Sequence, residues 1–269
     1  MAKQWHQLER LDHKALKKLQ QEREKAAKLA TQKAENQKKM IVGGVILALF
    51  IGVIVLTLVI KKKIDISNLE KAKDNLKYSS VKELSGTPEF KTTGDWQAFS
   101  SEFTFKDNYT FRTTDESNII LEFPSNPKKK DENPTKNTIK LYPPNNGFPA
   151  TELTVKTPLI EVKDGNPLIA KQIIEMAKGE VTVNISVDGK DLLYIQVANI
   201  TIIGQTSMFK IKYDEDKEKG EVVVKNGLVE VKVTGSSESA KLTGFYKVSF
   251  EQGELGTPTQ ASIIQYDWR

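Results

Sequence analysis

The chain has 269 residues, with 40 Lys and Arg against 35 Asp and Glu, which gives a formal net charge of +5. It contains no cysteine, which excludes disulfides, thiolate metal sites, iron–sulfur clusters and cysteine nucleophiles. Its two histidines, His6 and His13, lie near the N-terminus. The rest of the chain therefore holds no imidazole for Ser-His-Asp catalysis or for binding a metal or haem.

The first 39 residues form a charged tail without proline or glycine, in which good helix formers dominate. Its apolar residues follow the 3.6-residue helical period along one stripe: Leu8, Leu11, Ala15, Leu19, Ala26, Ala30 and Ala34. We therefore expect a cytoplasmic helical tail at 1–39. Three roles stay open for it: a solvated helix, a helix that binds a partner or itself, or one that contacts anionic lipid through Trp5 and its lysines.

The next segment, residues 40–60, carries no charge. At about 1.5 Å per residue it matches the roughly 30 Å hydrocarbon core of a bilayer. A signal peptide would have a shorter apolar region nearer its start. A core helix of a soluble protein would carry more polar residues over this length than the single Thr57. The sequence therefore predicts one transmembrane helix and, because no second such run occurs, a single-pass protein.

The charge is unevenly distributed about this segment. Residues 1–40 hold 11 basic and 5 acidic residues, whereas residues 64–269 hold 26 basic and 30 acidic ones. The basic balance belongs to the tail and to Lys61–Lys63, which argues against nucleic-acid binding by the large domain. Close to the membrane the positive-inside count is tied, but the whole tail favours a cytoplasmic N-terminus. An exported domain without cysteine points to a bacterial envelope, so we expect an inner-membrane protein with a periplasmic C-terminal domain.

After a juxtamembrane linker at 61–80, residues 81–269 have the pattern of a mainly β domain. Roughly ten short apolar runs are separated by turn signals every 8–12 residues. Two dipeptides, Asp188-Gly189 and Asn226-Gly227, are typical of two-residue type I′ hairpin turns. A further hairpin is expected around 102–112.

One short helix is expected within this domain, from Asn166-Pro167 to Gly179. Asn suits the position before a helix, Pro suits its first turn, and Gly suits the residue that follows its last turn. We expect residues 124–150, which contain six prolines, to form an irregular excursion with one strand at 138–142.

Little enzyme chemistry remains available to this composition. There is no phosphate-binding glycine loop, and without His or Cys only a carboxylate pair or a Ser-Lys dyad is left. The acidic residues lie mostly in charged runs such as Asp214-Glu215-Asp216. We therefore expect a protein without catalytic residues, metal or cofactor.

A series of spaced motifs runs through the β domain. A Val-x-x-Leu-x-Gly pattern occupies 81–86, a tryptophan precedes a predicted strand, and a Gly-x-Val pattern begins at 179. Paired apolar patterns follow at 202–211 and 222–231. In this order the motifs resemble those of the FecR family, single-pass bacterial proteins with a periplasmic β domain. The matching positions are Gly86, Trp96, Thr113, Gly179, Thr206, Ser207, Phe209, Gly227 and Val229.

The resemblance implies a periplasmic binding domain, with two differences. Aligned on Phe209, Thr206-Ser207 stands where the family has Gly-Thr. FecR-type sensors also carry a folded cytoplasmic domain that controls a sigma factor, whereas a tail of 39 residues is too short to enclose a core. We expect a non-enzymatic, membrane-anchored, FecR-like binding or scaffold module for another envelope protein or complex. The alternatives are a transmembrane regulator of a cytoplasmic sigma-type factor, a different single-pass β protein of the envelope, or an enzyme.

Overall fold

The computed structural model of the chain describes residues 2–106, 108–126, 136–144, 148–186, 193–262, 266 and 268. The chain divides into two compact units, Met1–Ile66 and Ser67–Arg269.

One helix, α1, runs over 74 residues from Ala2 to Asn75. Every described residue from Gln20 to Asn68 is exposed, including the whole apolar run. Among the described residues, this is the one helix long and apolar enough to cross a membrane. The helical tail and the apolar helix predicted from the sequence are therefore confirmed, and the chain fits a single-pass membrane protein.

The second unit is built of β-strands, and strands make up 48% of the structure. The strands in chain order are β1 Ser79–Ser85, β2 Glu89–Lys91, β3 Gln97–Ala98, β4 Phe103–Phe105, β5 Tyr109–Arg112, β6 Asn118–Phe123, β7 Asn137–Leu141, β8 Glu152–Val155, β9 Leu159–Lys163, β10 Asn166–Asn184, β11 Leu193–Val197, β12 Ile200–Asp214, β13 Lys219–Val233, β14 Ser239–Thr243, β15 Tyr246–Glu251, β16 Glu254–Leu255 and β17 Thr259–Gln260. The prediction of a mainly β domain is confirmed, including the strand at 138–142.

Three long strands, β10, β12 and β13, organise the domain because each takes part in two runs of paired strands. The first run consists of strands paired in the order β4, β1, β6, β7, β10, β12, β13 and β15. It uses the C-terminal half of β10. The second run consists of strands paired in the order β3, β2, β5, β8, β10, β11, β12, β13 and β14. It uses the middle of β10.

A single cluster of buried apolar side chains joins the two runs. Phe209 and Ile211 enter it from the first run, and Ile202 and Val229 enter it from the second run. All four side chains are fully buried. Burial alternates along the shorter strands, as in β6, which is the period-2 pattern of strands with one face on a core.

The helix predicted between Asn166 and Gly179 is wrong, because these residues belong to the 19-residue strand β10. Pro167 lies in a hairpin with β9, where it pairs with Val162. Gly179 has a φ of 100° and lies where β10 changes its strand partners.

The hairpin turn predicted at Asn226-Gly227 is also wrong, because both residues lie inside the continuous strand β13. β12 is its partner on both sides of this point. The strands predicted within 102–112 exist as β4 and β5, but they pair with β1 and β2. The turn predicted at Asp188-Gly189 lies outside the described residues.

Candidate interaction surfaces

Several of the matching positions lie where β12 and β13 bend between the two runs of strands. Thr206 has a φ of 46° and Gly227 a φ of 82°, and the pairing register shifts between Gln205 and Met208. A Cβ atom at Gly227 would lie 2.2 Å from the backbone oxygen of Thr206. Asn226 completes the bend, because its Oδ1 accepts a hydrogen bond from the Met208 N–H at 2.9 Å. These residues therefore shape the backbone.

Thr113 and Gly179 form a second structural cluster around Thr151. The Thr113 hydroxyl donates to the Tyr142 carbonyl oxygen at 2.8 Å and accepts from the Thr151 N–H at 2.9 Å. A Cβ atom at Gly179 would lie 2.3 Å from the Thr151 Cα. Both positions thus serve the close approach of strands.

The remaining matching positions are also structural. Phe209 and Val229 are fully buried in the core, and Gly86 has a φ of 68° just after β1. Ser207 is buried, and its hydroxyl has no hydrogen-bond partner among the described residues. Trp96 is half-buried, and two cations lie over its ring.

Two cations lie over the Trp96 ring, and one of them, Arg112, lines an open cavity of about 590 Å³ together with Glu89 and Glu152. Lys91 Nζ and Arg112 Cζ each lie 4.2 Å from the centre of the Trp96 ring. Arg112 forms an ion pair with Glu89, and Lys91 Nζ lies 3.9 Å from a carboxylate oxygen of Glu152. Three of the charged residues that line this cavity, Glu89, Arg112 and Glu152, thus already take part in ion pairs. Among the described residues, no group of three or more His, Asp or Glu could hold a metal ion.

A hairpin of β9 and the start of β10, here called the arm, covers residues 159–171. Its two-residue turn, Asp164-Gly165, has φ values of 52° and 76°, and a type I′ turn needs such positive values at both residues. The turn was missed in the sequence because the capping pattern beside it favoured a helix. The Asp-Gly dipeptide was the signal that could have found it.

The arm is tied to the domain at one side and exposed at the other. The buried Asn126 side chain donates to the Ile169 carbonyl oxygen and accepts from the Ile169 N–H, both at 2.8 Å. In contrast, Leu159 is 57% exposed and Val162 is 44% exposed. Among the described strands, β9 pairs with β10 alone. The arm therefore offers both a strand edge and apolar side chains.

A second candidate surface is the side of β12, β13 and β15 that faces away from the core. It is here called the outer face and consists of Lys210, Lys212, Glu221, Val223, Lys225 and Lys247. Tyr266 and Trp268 lie against it. The Tyr266 hydroxyl donates to Glu221 Oε1 at 3.0 Å, and Lys247 Nζ donates to Glu221 Oε2 at 2.8 Å.

Two groups on this surface, Tyr266 and Lys247, have raised pKa values. Burial and the nearby Glu221 carboxylate raise the pKa of Tyr266. The hydrogen bond from Lys247 to Glu221 raises the pKa of that lysine. Both groups therefore keep their protons at neutral pH, Tyr266 as a donor and Lys247 as a cation. No sequence motif had singled out either residue.

No family model matches the chain, and no curated protein matches it either. Two crystal structures described as a putative anti-sigma factor from Parabacteroides distasonis ATCC 8503 are similar to it. One is 17% identical over 53% of this chain and 60% of that chain, with a TM-score of 0.36. The other is 16% identical over 52% of this chain and 59% of that chain, with a TM-score of 0.35. The chain thus spans less than two thirds of the structures to which it is similar.

Proposed function

We propose that this chain is a single-pass protein of the bacterial inner membrane whose β domain is a non-enzymatic, FecR-like binding module in the periplasm. The apolar part of α1 would anchor it. The arm is the proposed binding site, because it combines an open strand edge with the exposed side chains of Leu159 and Val162. The partner is another envelope protein.

The chemistry of the arm suits strand addition. An edge strand presents backbone N–H and C=O groups that an extended segment of a partner can pair with. Side chains alternate along a strand, so Leu159 and Val162 point to opposite faces of β9. An added strand would therefore gain an apolar neighbour on each face.

Photo-crosslinking in cells tests this proposal. A photoreactive amino acid at Val162 is expected to trap a defined envelope protein. The same amino acid at Thr243, an exposed residue of β14, is the control and is expected to trap none. The substitution Val162→Asp should weaken co-purification of the trapped protein, whereas Thr243→Asp should not. Equal products at both positions, or none at Val162, would contradict the proposal.

A second function, regulation of a cytoplasmic sigma-type factor, is favoured by the continuity of α1. One helix contains the tail, the apolar run and the first residues of the second unit. A pull-down with residues 1–39 tests it. Capture of a sigma factor or another transcriptional regulator is expected under this second function and is not expected if the tail only anchors the chain.

A further inference from the structure

The open edge of β9 carries two charged side chains of opposite sign. Glu161 and Lys163 are both exposed and lie two residues apart, so they share one face of the strand. Neither side chain forms an ion pair or a hydrogen bond with any part of the chain that the structure describes. Val162, which lies between them and points to the opposite face, is 44% exposed. The edge therefore presents an unpaired acid, an apolar residue and an unpaired base in succession.

The turn of the arm decides which backbone groups face this edge. The two residues that flank a two-residue turn, here Lys163 and Asn166, form a hydrogen-bonded pair, and bonded and non-bonded pairs alternate along an antiparallel ladder. Val162 and Pro167 are thus a non-hydrogen-bonded pair, which suits proline because it has no N–H. The N–H and C=O of Val162 therefore point away from β10 and towards the open edge.

A second non-hydrogen-bonded pair, Ile160 and Ile169, supports the same assignment. Both backbone groups of Ile169 bond to the side chain of Asn126, so they point away from β9. Ile160, which lies opposite Ile169, accordingly directs its own N–H and C=O to the open edge. The strand thus offers the backbone groups of Ile160 and Val162 to an added strand.

These residues suit a second copy of β9 that runs antiparallel to the first. When Val162 lies opposite Val162 of the second copy, Glu161 lies opposite Lys163 twice, once on each side of the symmetry axis. The two neighbouring symmetric registers that use the same backbone groups would place Glu161 opposite Glu161, or Lys163 opposite Lys163. Opposite charges in facing positions stabilise a pair of strands, whereas like charges destabilise it. The charges therefore select one register for self-pairing.

We propose that two copies of the chain pair through β9 about Val162, and that this pairing closes the edge of the arm until the envelope partner replaces the second copy. The two copies of Val162 exchange two backbone hydrogen bonds, and two ion pairs between Glu161 and Lys163 flank them. A strand edge pairs with only one strand at a time, so self-pairing and binding of the partner exclude each other. An uncovered edge strand also promotes aggregation, which self-pairing prevents. The competition rests on the function proposed above, whereas the pairing itself does not.

Disulfide crosslinking tests the pairing, because the chain has no cysteine of its own. Full-length variants with one cysteine each are oxidised in the membranes of the cells that produce them. A hydrogen-bonded pair holds its Cα atoms about 5.5 Å apart, within the range of a disulfide. Val162→Cys should therefore form dimers at least tenfold faster than Thr243→Cys, an exposed control on β14.

A third cysteine variant tests the register. In the proposed pairing the two copies of Ile160 lie four residues apart along the strands, so Ile160→Cys should crosslink no faster than Thr243→Cys. Equal rates for Val162→Cys and Thr243→Cys would overturn the proposal. Dimers that form as fast with Ile160→Cys as with Val162→Cys would also overturn it.

Charge reversal gives an independent test of the same register. Added to Val162→Cys, the substitution Glu161→Lys places like charges opposite one another and should slow crosslinking severalfold. The further substitution Lys163→Glu restores opposite charges and should restore the rate, which a misfolded variant would not do. A rate that Glu161→Lys leaves unchanged, or that Lys163→Glu does not restore, would overturn the proposal.

Competition is measured with the envelope protein that photo-crosslinking at Val162 identifies. This protein should co-purify with reduced Val162→Cys and not with the disulfide-linked dimer, and its retention by the linked dimer would overturn the proposed exclusion. An envelope protein trapped at Val162 without disulfide dimers would overturn self-pairing and leave the proposed function in place. Disulfide dimers without a trapped envelope protein would support the pairing and overturn the proposed function, together with the competition that rests on it.

Discussion

At the scale of single residues, the bend of β12 and β13 is the most demanding part of the backbone. Thr206 has a φ of 46°, a region that a β-branched residue rarely adopts. The FecR-like pattern has a glycine at this position, and glycine reaches positive φ without steric cost. The family resemblance and the backbone geometry thus both favour glycine at position 206, where this chain has threonine.

We predict that Thr206→Gly stabilises the domain. A left-handed residue costs about 1–2 kcal/mol for a non-glycine side chain, and the extra freedom of an unfolded glycine offsets about 0.5–1 kcal/mol of the gain. The free energy of unfolding should therefore rise by about 0.5–1 kcal/mol, seen as a higher urea midpoint. Thr243→Gly, in a strand without positive φ, is the control and should lower the midpoint. A lower midpoint for Thr206→Gly would show that the threonine side chain stabilises the bend.

Gly227 allows the opposite prediction, because it has both a positive φ and a close backbone neighbour. We predict that Gly227→Val lowers the free energy of unfolding by at least about 3 kcal/mol, through strain and overpacking together. Gly235 has a φ of 80° but open space around it. Gly235→Val therefore isolates the strain and should cost less in the same urea titration. Equal costs would mean that the approach to Thr206 relaxes freely.

At the scale of strands, the sequence predicted the β class well and the course of β10 poorly. Asn166, Pro167 and Gly179 are helix boundary signals, but each also suits a hairpin or a bend in a strand. What decides between them is pairing with residues distant in the chain, such as Leu141 and Leu153 opposite Val181 and Met176. Local patterns hold no information on such partners.

The candidate surfaces were hidden in the sequence for a related reason. At the arm, Asp164-Gly165 predicts a hairpin turn, whereas the adjacent Asn166-Pro167 predicts the start of a helix. The outer face depends on Tyr266 and Trp268 contacting Glu221 and Lys225, which lie 45 and 43 residues earlier in the chain. Neither residue belongs to a recognisable motif, so only the folded chain brings them to Glu221 and Lys225.

An ion pair between neighbouring strands gives a prediction at this scale. Lys210 Nζ on β12 lies 2.6 Å from Glu180 Oε1 on β10, and Lys212 Nζ lies 3.5 Å from Glu180 Oε2. Glu180→Gln would leave the buried Lys210 without its carboxylate. We expect a loss of about 3–5 kcal/mol, the usual cost of breaking a buried pair.

The control for this pair is Glu175→Gln on the same strand. Glu175 is 47% exposed and pairs with Lys156 at 2.8 Å, and exposed pairs contribute at most about 1 kcal/mol. Urea titration of both variants gives the comparison. Similar midpoints for the two would mean that water reaches Lys210.

At the scale of the whole molecule, the two units differ in chemistry. The first unit holds the basic tail and the uncharged run, while the second holds the excess of acidic residues. The structure begins the β-strands at Ser79, two residues before the boundary expected from the sequence. The division into tail at 1–39, span at 40–60, linker at 61–80 and domain at 81–269 stays a prediction, as does its orientation.

We predict that residues 1–39 lie in the cytoplasm and that the β domain lies in the periplasm. The 11 basic residues of the tail resist transfer across the membrane, whereas long domains cross largely regardless of their charge. Protease added to spheroplasts of cells that produce the chain with an N-terminal epitope should digest the β domain. The epitope should survive on a fragment that ends beyond residue 60, and a cytoplasmic marker protein should stay intact as the control. Loss of the epitope together with a protected β domain would establish the reverse orientation, and the arm would then have to meet its partner in the cytoplasm.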